Sequence, residues 1–194
     1  MVAIVRLIER FSGLIGGIGA WVMFPLILSM VYEVLARHFF NAPTFWAYEV
    51  GYMLAGTTYM FGMGYCLKQG AHIRVDFLYD QMSLKHKALV NFLGYIILML
   101  PGSIWITIGL YDYAWEAYDT MEVSGESAWN PIIWPFRTVW VIGFISLSLQ
   151  AISEVLKNYM ILRGIDIEQY GFGATEEATM EYVSEQSASV ENDT

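Results

Sequence analysis

The chain has 194 residues, of which 56% are hydrophobic and 15% charged, and a formal net charge of −9. A soluble domain of this size carries about a quarter charged residues to cover its surface, so the composition excludes one and points to an integral membrane protein. The acidic surplus excludes electrostatically driven nucleic-acid binding, and the single cysteine, Cys66, excludes an internal disulfide framework and any paired-cysteine metal or redox motif.

Residues 1–11 read as an amphipathic lead-in, with Arg6, Glu9 and Arg10 toward lipid headgroups. Four runs then carry no Asp, Glu, Lys or Arg: residues 11–32, 50–67, 88–111 and 138–153. At the helical rise they reach roughly 33, 27, 36 and 24 Å, against a hydrocarbon core of about 30 Å. The first run exceeds the apolar core of a cleaved signal peptide, and no small-residue cleavage site follows it, so it reads as an uncleaved span. The fourth is short unless Arg137 snorkels and residues 132–136 join it. Apolar runs without polar alternation exclude a closed barrel. The expected fold is therefore an all-α integral membrane protein with four transmembrane helices and an interfacial segment between helices 1 and 2. Residues 12–156 form the membrane domain.

Orientation follows from Lys and Arg. Eight of the ten fall in the N-terminal arm, the second connection and the tail; only Arg37 and Arg137 lie in the other two connections. The positive-inside rule then puts both termini in the cytoplasm.

Between the first two spans, Ala36-Arg37-His38-Phe39-Phe40-Asn41-Ala42-Pro43 contains a turn signal, because Pro43 biases the residue before it toward an extended conformation. Phe45-Trp46-Ala47-Tyr48-Glu49 follows. Glu49 sits where a helix enters lipid; it reads as a favourable charge at a helix N-terminus or as a partner for Arg37 or for a base on another chain. In the second span Gly51, Ala55, Thr58 and Gly62 recur at helical spacing, and the first holds Gly13 and Gly17 with Gly16 behind them. Small residues let helix backbones approach closely, either within this bundle or against another subunit. Pro25 and Pro101 each remove one helical hydrogen bond and predict bends.

The second connection begins Lys68-Gln69-Gly70-Ala71-His72-Ile73-Arg74-Val75-Asp76. His72 and Asp76 are four apart, a spacing that suits an ion pair or hydrogen bond better than a metal, for which two ligands are too few. The third connection has Asp112, Glu116, Asp119, Glu122 and Glu126 with no base, among Tyr111, Tyr113, Trp115, Tyr118, Trp129, Trp134 and Trp140. This is an interfacial aromatic belt with solvated acids, or else an outer docking surface. After Arg163 the tail carries eight acids and no base, so residues 157–194 read as a disordered or loosely helical cytoplasmic segment.

Little in the spans supports chemistry. His38, His72 and His86 all lie outside the charge-free runs, so no pair reaches a common haem at mid-membrane. No ionisable residue stands at mid-depth for ion coupling, and no hydrolase or phosphate-binding signature is present. The expectation is a non-enzyme without cofactor or metal. The alternatives are a membrane anchor of a redox complex or a small autonomous carrier.

In order and spacing, Arg37, Asn41, Pro43, Trp46, Glu49, His72, Val75 and Asp76 resemble the motifs of the DctQ family, the small membrane subunit of tripartite ATP-independent periplasmic (TRAP) transporters. Glu122-Val123-Ser124 with Pro131 and Arg137 is similar to the connection in one branch of that family, although a Lys is expected where Arg137 stands. The resemblance implies a subunit of a bacterial inner-membrane transporter. A large TRAP membrane subunit would hold the Na⁺ and substrate sites. A periplasmic solute-binding protein would deliver small carboxylates, and this lipid-embedded chain would brace the large subunit's scaffold. The residues it nominates for structure or partner contact are Arg37, Asn41, Trp46, Glu49, Gly51, Ala55, Thr58, Gly62, His72 and Asp76.

Overall fold

A computed structural model describes residues 1–70, 84–165, 167 and 172. Among these the chain is helical: α1 (Val2–Phe40), α2 (Ala47–Lys68), α3 (Leu84–Gly94), a π-helical turn (Tyr95–Met99), α4 (Leu100–Asp119) and α5 (Trp134–Leu162). The sole extended pairing among the described residues is an isolated antiparallel bridge between Val123 and Ile132.

Three helical stretches are long and apolar enough to cross a membrane: α1, the continuous stretch His86–Asp119 and α5. The second charge-free run forms α2, of 22 residues. Its Tyr, Thr and Gly side chains dilute the apolar content, which leaves it outside that group.

Helix α1 has 39 residues and takes in the expected lead-in without a break. At about 58 Å it is longer than a hydrocarbon core is thick. The lead-in packs on the protein: Val5 is buried with Met160, Ile167 and Phe172. The helix ends at Asn41, whose left-handed backbone (φ 48°) lets the Ala42 N–H reach back to the Ala36 carbonyl at 3.1 Å.

Helix α5 touches every other element. It runs antiparallel to α1, with Val5 near Met160 and Glu9 on Lys157. It is also antiparallel to α3 and α4, as Phe92 meets Tyr159, Tyr113 meets Trp140 and Tyr118 meets Trp134. Against α2 it runs parallel, Gly56 facing Phe136 and Gly64 facing Ser146.

Lipid gives apolar surfaces no drive to associate, so close backbone approach decides which faces meet. A Cβ added at Gly16 would lie 2.5 Å from Tyr65 Cβ, and one at Gly19 2.9 Å from Phe61 Cβ. At Gly143 it would lie 2.8 Å from the Met60 carbonyl oxygen, and at Gly64 2.7 Å from Ser146 Oγ. The expected pair Gly13 and Gly17 is not the contact face: Gly17 has nothing within 4 Å, and Gly13 faces only the Lys68 ammonium.

The π turn precedes Pro101, and the Leu100 N–H bonds to the Tyr95 carbonyl five residues back. The wider turn falls where the proline can supply no N–H of its own. Pro25 lies inside α1 without interrupting it.

Candidate functional site

Two polar clusters close the bundle, one at each end. The loop end holds residues 41–46 and the 120–133 connection. There Arg37 donates to Glu33, with Nε at 3.0 Å and a shorter contact from Nη2. Glu33 also accepts the Thr44 N–H at 3.0 Å and the Thr44 hydroxyl. One carboxylate thus ties the last turn of α1 to the loop after it. Trp46 stacks on Tyr32, with centroids 5.7 Å apart, beside an open apolar groove of about 600 Å³ that also meets Pro25, Leu28, Val50 and Leu54.

Glu49 is fully buried in the first turn of α2. It does not pair with Arg37; it accepts the Ser127 hydroxyl from the distant connection, and its Oε2 has no partner among the described residues. That connection is itself pinned. Ser124 N–H donates to the Pro131 carbonyl and Ile133 N–H to the Glu122 carbonyl, each at 3.0 Å. Gly125, at φ +70°, donates to Asn130 Oδ1 at 2.7 Å.

Arg137 does not snorkel. It is 4% exposed and binds Glu122 through two hydrogen bonds of 2.6 Å, with its guanidinium carbon 3.5 Å from the Tyr113 ring centroid. Pairing with a carboxylate and an aromatic face satisfies the charge locally, so it need not reach headgroups. Nor is Glu122 simply one of five solvated acids. Of the residues expected to lengthen the fourth span, 134–136 lie in α5, which begins at Trp134, while 132 and 133 precede it.

At the opposite, terminal end, Lys157 sits 2.5 Å from Glu154 and 3.2 Å from Glu9. Gln150 Nε2 donates to Glu154 Oε1 at 3.0 Å, Asn158 Nδ2 to the Glu154 carbonyl at 2.8 Å, and Lys68 Nζ to the Glu9 carbonyl at 3.1 Å. Glu154 and Lys157 are almost fully buried. Reading the spans as charge-free runs missed this cluster. The spacing of Ser146, Gln150, Ser153 and Lys157, four, three and four apart, was its available signal: a polar stripe on one helical face.

The nominated small residues separate. Gly51 faces the Met30 sulfur, Thr58 donates to its own helix at Leu54 and its carbonyl lies by Gly19, and Gly62 has nothing within 4 Å. Ala55 is half-buried. His72 and Asp76 lie outside the described residues. Among those described, no three His, Cys, Asp or Glu side chains converge as metal ligands. What the arrangement does is mechanical: polar groups lock helices at both ends, while large apolar side chains such as Trp21, Phe24, Leu98 and Trp105 face outward.

A comparison with family models matches residues 26–159, more than half of the chain, to the family described as tripartite ATP-independent periplasmic transporters, DctQ component. No curated protein matches the chain.

Proposed function

The chain belongs to the DctQ component family of TRAP transporters, and from that premise we propose that it braces the large membrane subunit of a Na⁺-coupled transporter. The solutes would be small carboxylates, delivered by a periplasmic binding protein to sites on the large subunit. The membrane would be the bacterial inner membrane.

One observation carries the reading. Apart from Glu49 Oε2, the buried charges of both clusters are engaged within the chain, while the helices turn apolar side chains outward along most of their length. Such a body is stiff in itself and offers its neighbours surface rather than chemistry, which suits a static support.

Four spans with both termini cytoplasmic remain the topology we propose. Helix α2 is supported as a span by its neighbours: Gly51 lies beside Met30 and Gly13 beside Lys68, so α2 runs at the depth of the apolar middle of α1. The Lys and Arg distribution supports the orientation. The outer connection, which with its flanks carries Asp112, Glu116, Asp119, Glu122 and Glu126, would then face the periplasm.

Affinity purification from native membranes tests the proposal. It expects a much larger multi-span polypeptide to co-purify in fixed proportion. Recovery of this chain alone, or solute uptake by vesicles containing it alone, would overturn it.

A further inference from the structure

Among the described residues most helical serine and threonine hydroxyls bond to their own backbone. Ser29, Ser103, Ser148, Thr57, Thr58, Thr107 and Thr138 each donate to a carbonyl three or four residues earlier, which is how a hydroxyl is satisfied in lipid. Ser12, Ser146 and Ser153 do not. All three are fully buried and have no hydrogen-bond partner among the described residues, and Gln150, also fully buried, has a free Oε1.

These four atoms belong to one junction. Ser146, Gln150 and Ser153 share a face of α5, and that face meets α2 where Gly64 lies against Ser146. The antiparallel register of α1 and α5, with Val5 near Met160 and Glu9 on Lys157, sets Ser12 one turn further along, level with Ser153. Lys68, reaching from α2 to the Glu9 carbonyl and lying beside Gly13, closes the third side.

We propose that this junction of α1, α2 and α5 is a binding site for a short file of water molecules, held by Ser12, Ser153, Gln150 and Ser146. Seven residues of helix separate Ser153 from Ser146, so the file would run along roughly 10 Å of α5. Three hydroxyls, each able to donate and accept, and one amide oxygen form a donor and acceptor set that water completes. The local charge points to a neutral ligand over a metal cation. Lys157 is shared by the carboxylates of Glu9 and Glu154 and would repel a cation placed against Glu154, and Lys68 adds a second ammonium at the Glu9 backbone carbonyl. The water joins three helices that lipid alone does not drive together.

The sign of a stability change tests this. In the full chain in lipid nanodiscs, the triple variant Ser12→Ala, Ser146→Ala, Ser153→Ala removes three hydroxyls without adding bulk. Bridging water predicts a Tm lower by several degrees, because the water loses its partners. A dry junction predicts an unchanged or higher Tm, since unsatisfied buried hydroxyls are removed, and that would overturn the proposal. Ser148→Ala serves as the back-bonded control. Radiolytic labelling in ¹⁸O-water should mark buried side chains between residues 146 and 153 in the wild type and fade in the triple variant; no label there would overturn the site. A Tm that rises with Na⁺ over choline at equal ionic strength, and only with the three serines intact, would reassign the site to a cation.

Discussion

Arg137 meets Glu122 through two hydrogen bonds of 2.6 Å each, and its guanidinium carbon lies 3.5 Å from the centre of the Tyr113 ring. The pair joins the start of α5 to the connection leaving α4, and the ring belongs to α4. A planar fork makes both contacts at once; an ammonium does not. Arg137→Lys should therefore lower stability by about 1 kcal/mol, the small size reflecting the half-exposed Glu122. Thermal unfolding in detergent checks it, with Glu122→Gln expected to lower Tm in the same direction.

Lys157→Met should be more damaging. It leaves Glu154 and Glu9 buried without their shared counter-charge, a change that costs about 3–5 kcal/mol when a buried pair is broken. Tm should fall steeply, and Lys157→Arg, which keeps the charge, should recover part of the loss.

Two glycines should behave in opposite ways. Gly143→Ala sets a methyl 2.8 Å from the Met60 carbonyl, and overpacking against backbone costs about 1–3 kcal/mol. Gly62→Ala meets nothing within 4 Å and should raise the isolated chain's Tm slightly, because alanine favours a helix interior over glycine. A loss of large-subunit recovery with Gly62→Leu, at a Tm of the isolated chain that holds, would put a partner against this face.

Thr44→Val removes the hydroxyl that, with the backbone amide, fastens residues 41–46 to Glu33. Hydrogen exchange at the Thr44 amide should quicken while Tm holds. Arg37→Ala should have a smaller effect on that amide, because Arg37 is 69% exposed and supports Glu33 only from the solvent side.

Where the long helices lie was written in the spacing of charges. The runs at 11–32, 88–111 and 138–153 each fall inside one of the three long apolar helices, and the Asn41–Pro43 turn lies in the loop that leaves α1. Hydropathy alone hid which charges were inside. Glu154, Lys157 and Arg137 stand near span ends, where a charge normally meets headgroups, and only the arrival of Glu9 and Glu122 from distant segments makes burial tolerable. The glycines posed a similar difficulty. Gly13 and Gly17 are four apart and Gly16 and Gly19 three apart, both helical spacings, yet a rotation of the helix about its axis decides which pair meets Tyr65 and Phe61, and no local pattern encodes that rotation. Glu49 was visible as an unusual acid; its tie to Ser127, 78 residues away, was not.

Helix α5 touches every other element, and it is translated after all of them. Until it emerges from the ribosome, Glu9 has no Lys157 beside it, Glu49 has only just gained Ser127, and α4 has no helix to hold it near α2. Membrane insertion and consolidation are therefore partly separated in time: α1 and α2 can already meet at Gly16 and Gly19, and the remaining contacts of the bundle close in one late step. Quality-control proteases that sense polar side chains in lipid have that interval, and little afterward, in which to tell a stalled chain from a finished one.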